Sequence, residues 1–190
     1  MKVLDTEFNG LKVVELKVHG DSRGFFVERY NKDSYAKNGL PTEFYQDNHS
    51  RSGQYVLRGM HYQYDRPQGK LVGAIRGSIL DAVVDLRWDQ PTYGKSFSIE
   101  LSDENGKMLW VPAGFAHGFC VLSEGLTDVV YKVDELYNPQ KEAGISWNDH
   151  DFDIHWPTDK PLVSAKDEIQ PSFKEYDQSD FKKSKWWVKD

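Results

Sequence analysis

A dense series of short β-prone segments fills the middle of the chain and limits the folds that it can adopt. These segments, each rich in β-branched, aromatic or other apolar residues, are residues 56–62, 70–76, 78–86, 97–101, 108–111, 119–122 and 128–133. Asn105-Gly106 lies between two apolar runs and is the strongest hairpin signal. Short strands at this spacing predict an all-β sandwich or barrel rather than alternating β-α-β units.

Two segments on the N-terminal side of this series also give structural signals. Residues 44–50 alternate, with Gln46 and Asn48 on one face of a predicted strand. A polar face between aromatic neighbours indicates a solvent-filled pocket rather than a dry core. A short helix is expected from Asp33, as its N-cap, to Gly39.

Length and charge narrow the class of protein. The 190 residues predict a single domain over 1–190, with a core at about 12–150 and an irregular segment, 151–190, packed on its outside. A net charge of −6 argues against nucleic-acid binding, which needs a basic face. The one cysteine, Cys120, indicates a reducing compartment. Because the sequence shows neither an export signal nor a long apolar run, we expect a cytoplasmic protein without a membrane span.

Three nitrogen-bearing side chains are concentrated around one predicted strand. Arg58 and His61 lie on it, and Lys70 begins the next strand. A lone strand histidine is more often structural than catalytic, but this much positive charge needs an anion or a carboxylate partner. Since strict alternation places residues 58 and 61 on opposite faces, we expect a bulge at Gly59 that re-aims one of them.

A glycine-rich motif, Pro-x-Gly-x-x-His, ends at His117. In cupin barrels a histidine at this position can ligate a metal. The matching first motif would be His-x-His, but Gln63 stands where its second imidazole would be. His61 and His117 lack a convincing third ligand, and a divalent metal needs three or four. We therefore expect no metal.

Four further side chains have structural interpretations when each is taken alone. Tyr131 lies in an apolar strand, where a tyrosine is usually core, although a phenol can also donate a proton. Asp167 lies in the tail as a solvated acid or as the carboxylate partner that a catalytic histidine requires. Arg23 and Glu28 form either a weak surface ion pair or, through Arg23, a phosphate contact.

Taken together, the motifs resemble those of the dTDP-4-dehydrorhamnose 3,5-epimerase family, enzymes of dTDP-L-rhamnose synthesis. The matching motifs are Arg23-Gly24-Phe25-Phe26-x-Glu28, Gln46-Asp47-Asn48-x-Ser50, residues 57–63, Gln68-Gly69-Lys70-Leu71-Val72, Asp81-x-x-x-Asp85-Leu86-Arg87, residues 112–119, Tyr131-Lys132, Tyr137-Asn138-Pro139, Ile145-x-Trp147-Asn148-Asp149 and Lys166-Asp167. Their joint pattern, over about residues 23–171, is specific although no single motif is. Residues 172–190 carry no such resemblance.

The resemblance implies a metal-free cupin: a jelly-roll barrel with short flanking helices, a homodimer, and a dTDP-4-keto-6-deoxy sugar nucleotide in the barrel mouth. It implies that His61 is the base and Asp167 its partner. Tyr131 would be the acid on the opposite face of the sugar, and Lys70 would lie near the carbonyl oxygen. The implied substrate-binding residues, some from the partner subunit, are Arg23, Glu28, Gln46, Asn48, Arg58, His117 and Tyr137.

The implied reaction suits these side chains. The C4 ketone acidifies the hydrogens on C3 and C5, because each carbanion is an enolate. Inversion therefore requires a base, an acid on the far side and cations near the oxygen, and it needs no metal or other cofactor. The alternatives are an epimerase acting at C3 or C5 alone, a ketoisomerase of a related dTDP-4-keto-6-deoxy sugar, a non-catalytic nucleotide-sugar-binding cupin, and a metal-dependent cupin oxygenase.

Overall fold

The computed structural model describes residues 1–189 and consists mainly of β-strands, which confirms the predicted all-β class. The strands are β1 (Lys2–Asp5), β2 (Lys12–Glu15), β3 (Val18–Asp21), β4 (Gly24–Val27), β5 (Gln46–Ser52), β6 (Leu57–Gln63), β7 (Lys70–Arg76), β8 (Ser78–Asp85), β9 (Ser96–Ser102), β10 (Lys107–Val111), β11 (Phe115–Val121), β12 (Thr127–Val133) and β13 (Glu142–Gly144). The helices are α1 (Lys32–Lys37), α2 (Ala165–Glu168), α3 (Phe173–Gln178) and a 3₁₀ turn, Phe181–Ser184. None of these described helices is long and apolar enough to cross a bilayer.

Two antiparallel sheets face each other and enclose the main core. One has the strand order β1-β2-β10-β7-β12-β5 and the other β13-β6-β11-β8-β9. Their inner faces share an apolar cluster that includes Val72 and Leu109 from the first sheet and Val83 and Phe119 from the second. Within residues 1–189 the sheets stay separate instead of closing into a hydrogen-bonded barrel. The architecture is an open, cupin-like sandwich.

The turn at Asn105-Gly106 does not close a hairpin, so that prediction was wrong. The strands on either side of it, β9 and β10, belong to different sheets. The Asn105 side chain accepts hydrogen bonds from the backbone of Ser102 (3.1 Å) and Lys107 (2.9 Å), and Gly106 has a φ of +60°. The local turn chemistry is therefore as predicted, but the turn carries the chain from one sheet to the other.

Strand β11 begins at Phe115, whereas the sequence placed its start at residue 119. Gly118 lies inside this strand, and a glycine is needed there because the backbone of β6 approaches it closely. A Cβ atom at Gly118 would be 2.8 Å from the carbonyl oxygen of Arg58. Glycine here makes room for a neighbouring backbone, and His117 consequently lies on a strand rather than in a loop.

The N-cap of helix α1 lies two residues earlier than predicted. The Asn31 side chain, not that of Asp33, accepts the hydrogen bond from the Ser34 amide, at 3.0 Å. Asp33 lies in the first turn, where its negative charge favours the helix N-terminus. Gly39, at a φ of +66°, follows the helix, so its end is as predicted.

Candidate active site

A cavity of about 840 Å³ opens between the two sheets and is lined by side chains from both. Its walls come from β5, β7 and β12 of one sheet, from β6, β11 and β13 of the other, and from the segment that leads into α2. The predicted site residues that line it are Gln46, Asn48, Arg58, His61, Lys70, His117, Tyr131, Tyr137 and Asp167. Residues far apart in sequence thus share one pocket.

His61 and Asp167 form a close pair in this cavity. The Nε2 atom of His61 lies 2.5 Å from Oδ1 of Asp167, which is almost fully buried. Burial alone would raise the pKa of Asp167, but the hydrogen bonds with His61 and Ser164 hold that pKa below its usual value. Because the carboxylate is ionised, it must accept the Nε2 proton, and Nδ1 is then the nitrogen with a free lone pair.

The helix that carries Asp167 is a single turn, α2, and needs outside support. The Ser164 side chain caps it and accepts a hydrogen bond from the Asp167 amide at 3.2 Å. Just before it, Leu162 forms a parallel bridge with Val56 beside β6. The tail is therefore tied to the strand that carries His61.

A bulge in β6 turns Arg58 and His61 toward the same cavity. His61 pairs with His117 on β11, whereas Arg58 pairs with Phe119, so β6 holds one extra residue between these pairs. Gly59 lies within the extra stretch with a φ of +140°, and a Cβ there would be 2.5 Å from the β11 backbone. The predicted bulge is confirmed, and only glycine fits it.

Two cations line the same cavity as the histidine. The Arg58 guanidinium donates to the Ser52 hydroxyl at 3.1 Å and 3.2 Å, and the Lys70 ammonium is 3.4 Å from the carbonyl oxygen of His61. Burial lowers the pKa of Lys70 to about 8, although the Glu142 carboxylate opposes this. Lys70 is thus charged at neutral pH and poorly solvated, which suits it to stabilise negative charge in the cavity.

Tyr131 reaches the cavity from the wall opposite His61. It lies on β12 of the six-stranded sheet, whereas His61 lies on β6 of the facing sheet. Burial and the charge of Glu142 raise the pKa of Tyr131, while Arg58 lowers it, and the net direction is upward. The group therefore stays a protonated phenol near neutral pH and can donate its proton.

Polar side chains of β5 form a third side of the cavity. Gln46 donates to Asn48 at 2.7 Å and accepts the backbone N–H of Tyr137 at 3.0 Å. The residue between them, Asp47, is exposed, which confirms the predicted alternation of this strand. Tyr137 stands at the rim of the cavity, where its ring is half exposed.

Glu142 is a site residue that the sequence did not reveal. Its carboxylate accepts the Tyr137 hydroxyl at 2.9 Å, pairs with Lys166, and has an oxygen 3.9 Å from Nδ1 of His61. Burial opposes ionisation, but Lys166, His61 and Tyr137 keep the pKa of Glu142 below its usual value. It lies on the three-residue strand β13, which is too short to give a periodic signal.

His117 is held by a second carboxylate. Its Nε2 atom lies 2.9 Å and 3.1 Å from the two oxygens of Asp81, and both residues are buried. This pairing fixes the ring beside His61 on the neighbouring strand. Across residues 1–189, no group of three or more His, Cys, Asp or Glu side chains is arranged to hold a metal ion.

Arg23 and Glu28 do not line the cavity of their own chain. Arg23 lies at the tip of the exposed β3–β4 hairpin and binds the Asp21 carboxylate through two nitrogens, at 2.5 Å and 3.1 Å. Glu28 follows the same hairpin and is also exposed. These two predicted substrate contacts are therefore separated from the others within one chain.

Known proteins share both the sequence and the fold. A family model described as dTDP-4-dehydrorhamnose 3,5-epimerase matches residues 5–175. A relative of that name from Shigella flexneri is 47% identical over 169 residues, which cover 88% of this chain and 93% of the relative. A solved dTDP-6-deoxy-D-glucose-3,5-epimerase from Legionella pneumophila, in complex with dTDP-4-keto-L-rhamnose, has a TM-score of 0.86 at 40% identity and covers 90% of this chain and 92% of its own. A 3'-monoepimerase from Streptomyces bikiniensis in complex with dTDP-quinovose has a TM-score of 0.82 at 30% identity, covering 88% and 85%.

The matched part of the chain contains the whole cavity. Residues 5–175 include β2 to β13 and α2, and thus every cavity-lining side chain described above. The cupin-like fold implied by the sequence motifs is the fold of these relatives. The chain belongs to the dTDP-4-dehydrorhamnose 3,5-epimerase family.

Proposed function

We propose that this chain is an isomerase that converts dTDP-4-dehydro-6-deoxy-D-glucose to dTDP-4-dehydro-L-rhamnose by inverting C3 and C5. One observation carries the proposal: a carboxylate-paired imidazole, His61, and a buried phenol, Tyr131, enter one cavity from facing sheets. An epimerase needs its base and its acid on opposite faces of the sugar ring. The two sheets supply that separation.

His61 is the base in this proposal. Asp167 holds the Nε2 proton, so the free nitrogen of the ring removes the hydrogen from C3 or C5 of the sugar. The same carboxylate stabilises the imidazolium that forms. Arg58 and Lys70 then stabilise the enolate oxygen at C4, because both cations line the cavity and Lys70 is also partly buried there.

Tyr131 completes each inversion in this proposal. Its phenol delivers a proton to the carbon from the face opposite His61, and the tyrosinate formed is stabilised by the nearby Arg58 charge. Gln46, Asn48, His117 and Tyr137 bind the substrate around this reacting centre. The protons balance because, after each inversion, solvent returns a proton to the tyrosinate of Tyr131 and accepts the proton held by the His61 imidazolium.

The test is NMR of dTDP-4-dehydro-6-deoxy-D-glucose in D₂O with the enzyme, coupled to a reductase that traps the product. Deuterium at both C3 and C5 with an L-rhamnose product is the expected result. Deuterium and inversion at one carbon would make the chain a mono-epimerase, the function named for the Streptomyces bikiniensis structure at 30% identity. Binding of dTDP without any exchange would leave only a nucleotide-sugar-binding protein.

The pH dependence of the reaction should report Lys70. Because the pKa of Lys70 is lowered to about 8, kcat/KM should fall above pH 8 as this cation is neutralised. In Lys70→Arg, whose side chain stays charged, the fall in kcat/KM should begin at a higher pH. Lys70→Met should lower kcat/KM at every pH. A fall at the same pH in Lys70→Arg would assign it to another group.

The loss of activity above pH 8 should not come from unfolding caused by Lys70. The unfolded chain holds the Lys70 proton up to about pH 10.5, whereas the folded chain releases it from about pH 8. The unfolded state therefore binds more protons in this window, so this group makes the free energy of unfolding rise with pH. Thermal unfolding measured from pH 7.5 to 9.5 separates the two effects.

We also propose that two copies of the chain form the working unit. Every residue of the β3–β4 hairpin except Val27 is exposed, and its Phe25 and Phe26 side chains are 66% and 69% exposed, an unusual state for adjacent phenylalanines. In a homodimer, the partner subunit would cover those rings, and the hairpin would bring Arg23 and Glu28 to the nucleotide in the partner's cavity. Arg23 suits a diphosphate because a guanidinium binds two oxygens at once.

Mixing two inactive variants tests this arrangement. In a heterodimer of Arg23→Ala and His61→Asn chains, one cavity should combine an intact His61 with an intact Arg23 from the other chain. Co-expressed variants should therefore recover activity that neither homodimer has. If Arg23 serves its own chain, every cavity in the mixture lacks one of the two groups and no activity returns.

A further inference from the structure

Aromatic side chains near the C-terminal end of the chain form a cluster on β6, the strand of His61, on its face away from the cavity. We define the aromatic clasp as Tyr62 of β6 together with Tyr176, Phe181 and Trp186. Tyr62 and Trp186 stack with ring centroids 4.6 Å apart, and Tyr176 and Phe181 lie 6.1 Å and 6.3 Å from Tyr62. The family model ends at residue 175, so the three tail members of the clasp lie beyond it.

The polar groups of the two buried tail residues of the clasp, Trp186 and Tyr176, are hydrogen-bonded. Trp186 and Tyr176 are 7% and 4% exposed. The Trp186 indole N–H donates to the Tyr176 hydroxyl at 3.0 Å, which in turn donates to the carbonyl oxygen of Leu86 at 3.2 Å. Burying these polar tips without partners would be costly, and here each has one.

The clasp is joined to both members of the His61–Asp167 pair. Tyr62 follows His61 directly, so the clasp packs on one face of β6 while His61 points into the cavity from the other. Beyond Asp167, the carbonyl oxygen of Pro171 accepts the Ser146 amide at 2.7 Å. Phe173 then begins α3, which carries Tyr176.

From these contacts we propose that the aromatic clasp is a positioning element, which holds β6 and α2 in the register that gives the short His61–Asp167 hydrogen bond. The inference rests on the proposed function, because it assigns the clasp a role in proton abstraction. Helix α2 is one turn long and cannot fix Asp167 by itself. A displacement of about 1 Å at such a pair can cost about a hundredfold in rate.

Substitution of Trp186 tests the proposal by its separate effects on kcat and KM. Trp186→Leu removes the stacking and the indole donor but keeps an apolar side chain, and Trp186→Ala is the harsher variant. Both should lower kcat by about tenfold or more with a much smaller change in KM. Trp186→Phe, which can still stack on Tyr62, should restore most of the lost kcat.

Leu40→Ala is the matched control for lost stability. Leu40 is buried in a different cluster, beside α1 on the far side of the six-stranded sheet. At a temperature where all variants are folded, Leu40→Ala should keep the wild-type kcat even if its Tm falls as far as that of Trp186→Leu. Equal losses of kcat in the two variants, or none in Trp186→Leu, would overturn the proposal.

Two readouts separate this proposal from the proposed function. The His61–Asp167 proton should give a low-field NMR resonance in the wild type and in Leu40→Ala, and should lose it in Trp186→Leu. In an Asp167→Asn background, Trp186→Leu should cause no further loss of kcat, because the pair it positions is already broken. A wild type without epimerisation rejects the proposed function, whereas a retained resonance in Trp186→Leu rejects the clasp.

Discussion

His61→Asn should abolish the uptake of solvent deuterium into the sugar at both C3 and C5. A positioned general base contributes about 10²–10⁴-fold, and asparagine cannot accept the proton. The asparagine side chain is too short to reach Asp167 from the position of Nε2, but the buried carboxylate keeps its hydrogen bonds with the Ser164 side chain and the Gly59 backbone, so the fold should be retained. The measurement is the rate of deuterium incorporation by NMR, with the affinity for dTDP as the check that the cavity is intact.

His155→Asn is the control for this experiment. His155 is a surface histidine whose side chain is 91% exposed, and its ion pair with Asp153 is solvated. The same chemical change there should leave exchange at the wild-type rate. Undiminished exchange in His61→Asn would remove His61 as the base, and the second imidazole of the cavity, His117, would become the next candidate.

Local patterns in the sequence predicted the walls of the site well. The alternation of residues 44–50 identified the face of β5 that lines the cavity, since a strand repeats every two residues whatever surrounds it. Gly59, between Arg58 and His61, correctly indicated a bulge, because two cavity residues three positions apart cannot share a face of a regular strand. Such features depend only on neighbouring residues.

Features that depend on distant contacts escaped prediction. The turn at Asn105-Gly106 has the expected conformation, but its sequence holds no information on which sheet β10 joins. Glu142 enters the cavity only because β13 pairs with β6. The predicted strand began after Gly118, at residue 119, because the close approach of Arg58 that requires a glycine inside β11 cannot be read from the neighbouring residues. Each error concerns tertiary packing that overrides a correct local signal.

Tyr131→Phe should separate proton removal from inversion. Phenylalanine keeps the packing of Tyr131 against the main core but has no proton to give. His61 can still form each enolate, so deuterium should enter the sugar from the side of His61 with retention of configuration. Product formation should fall by about 10²–10⁴-fold, most visibly at C5. NMR reports exchange, and the coupled reductase reports inversion.

The ratio of exchange to inversion is what makes this variant informative. Loss of packing or of substrate affinity would lower both rates together, whereas a missing acid lowers only inversion. Tyr45→Phe provides the control, because Tyr45 is 60% exposed and does not line the cavity, so both rates should stay at wild-type values. Normal product formation in Tyr131→Phe would assign the acid to another group. Tyr137 would be the first to examine, since its hydroxyl also lies in the cavity, bound to Glu142.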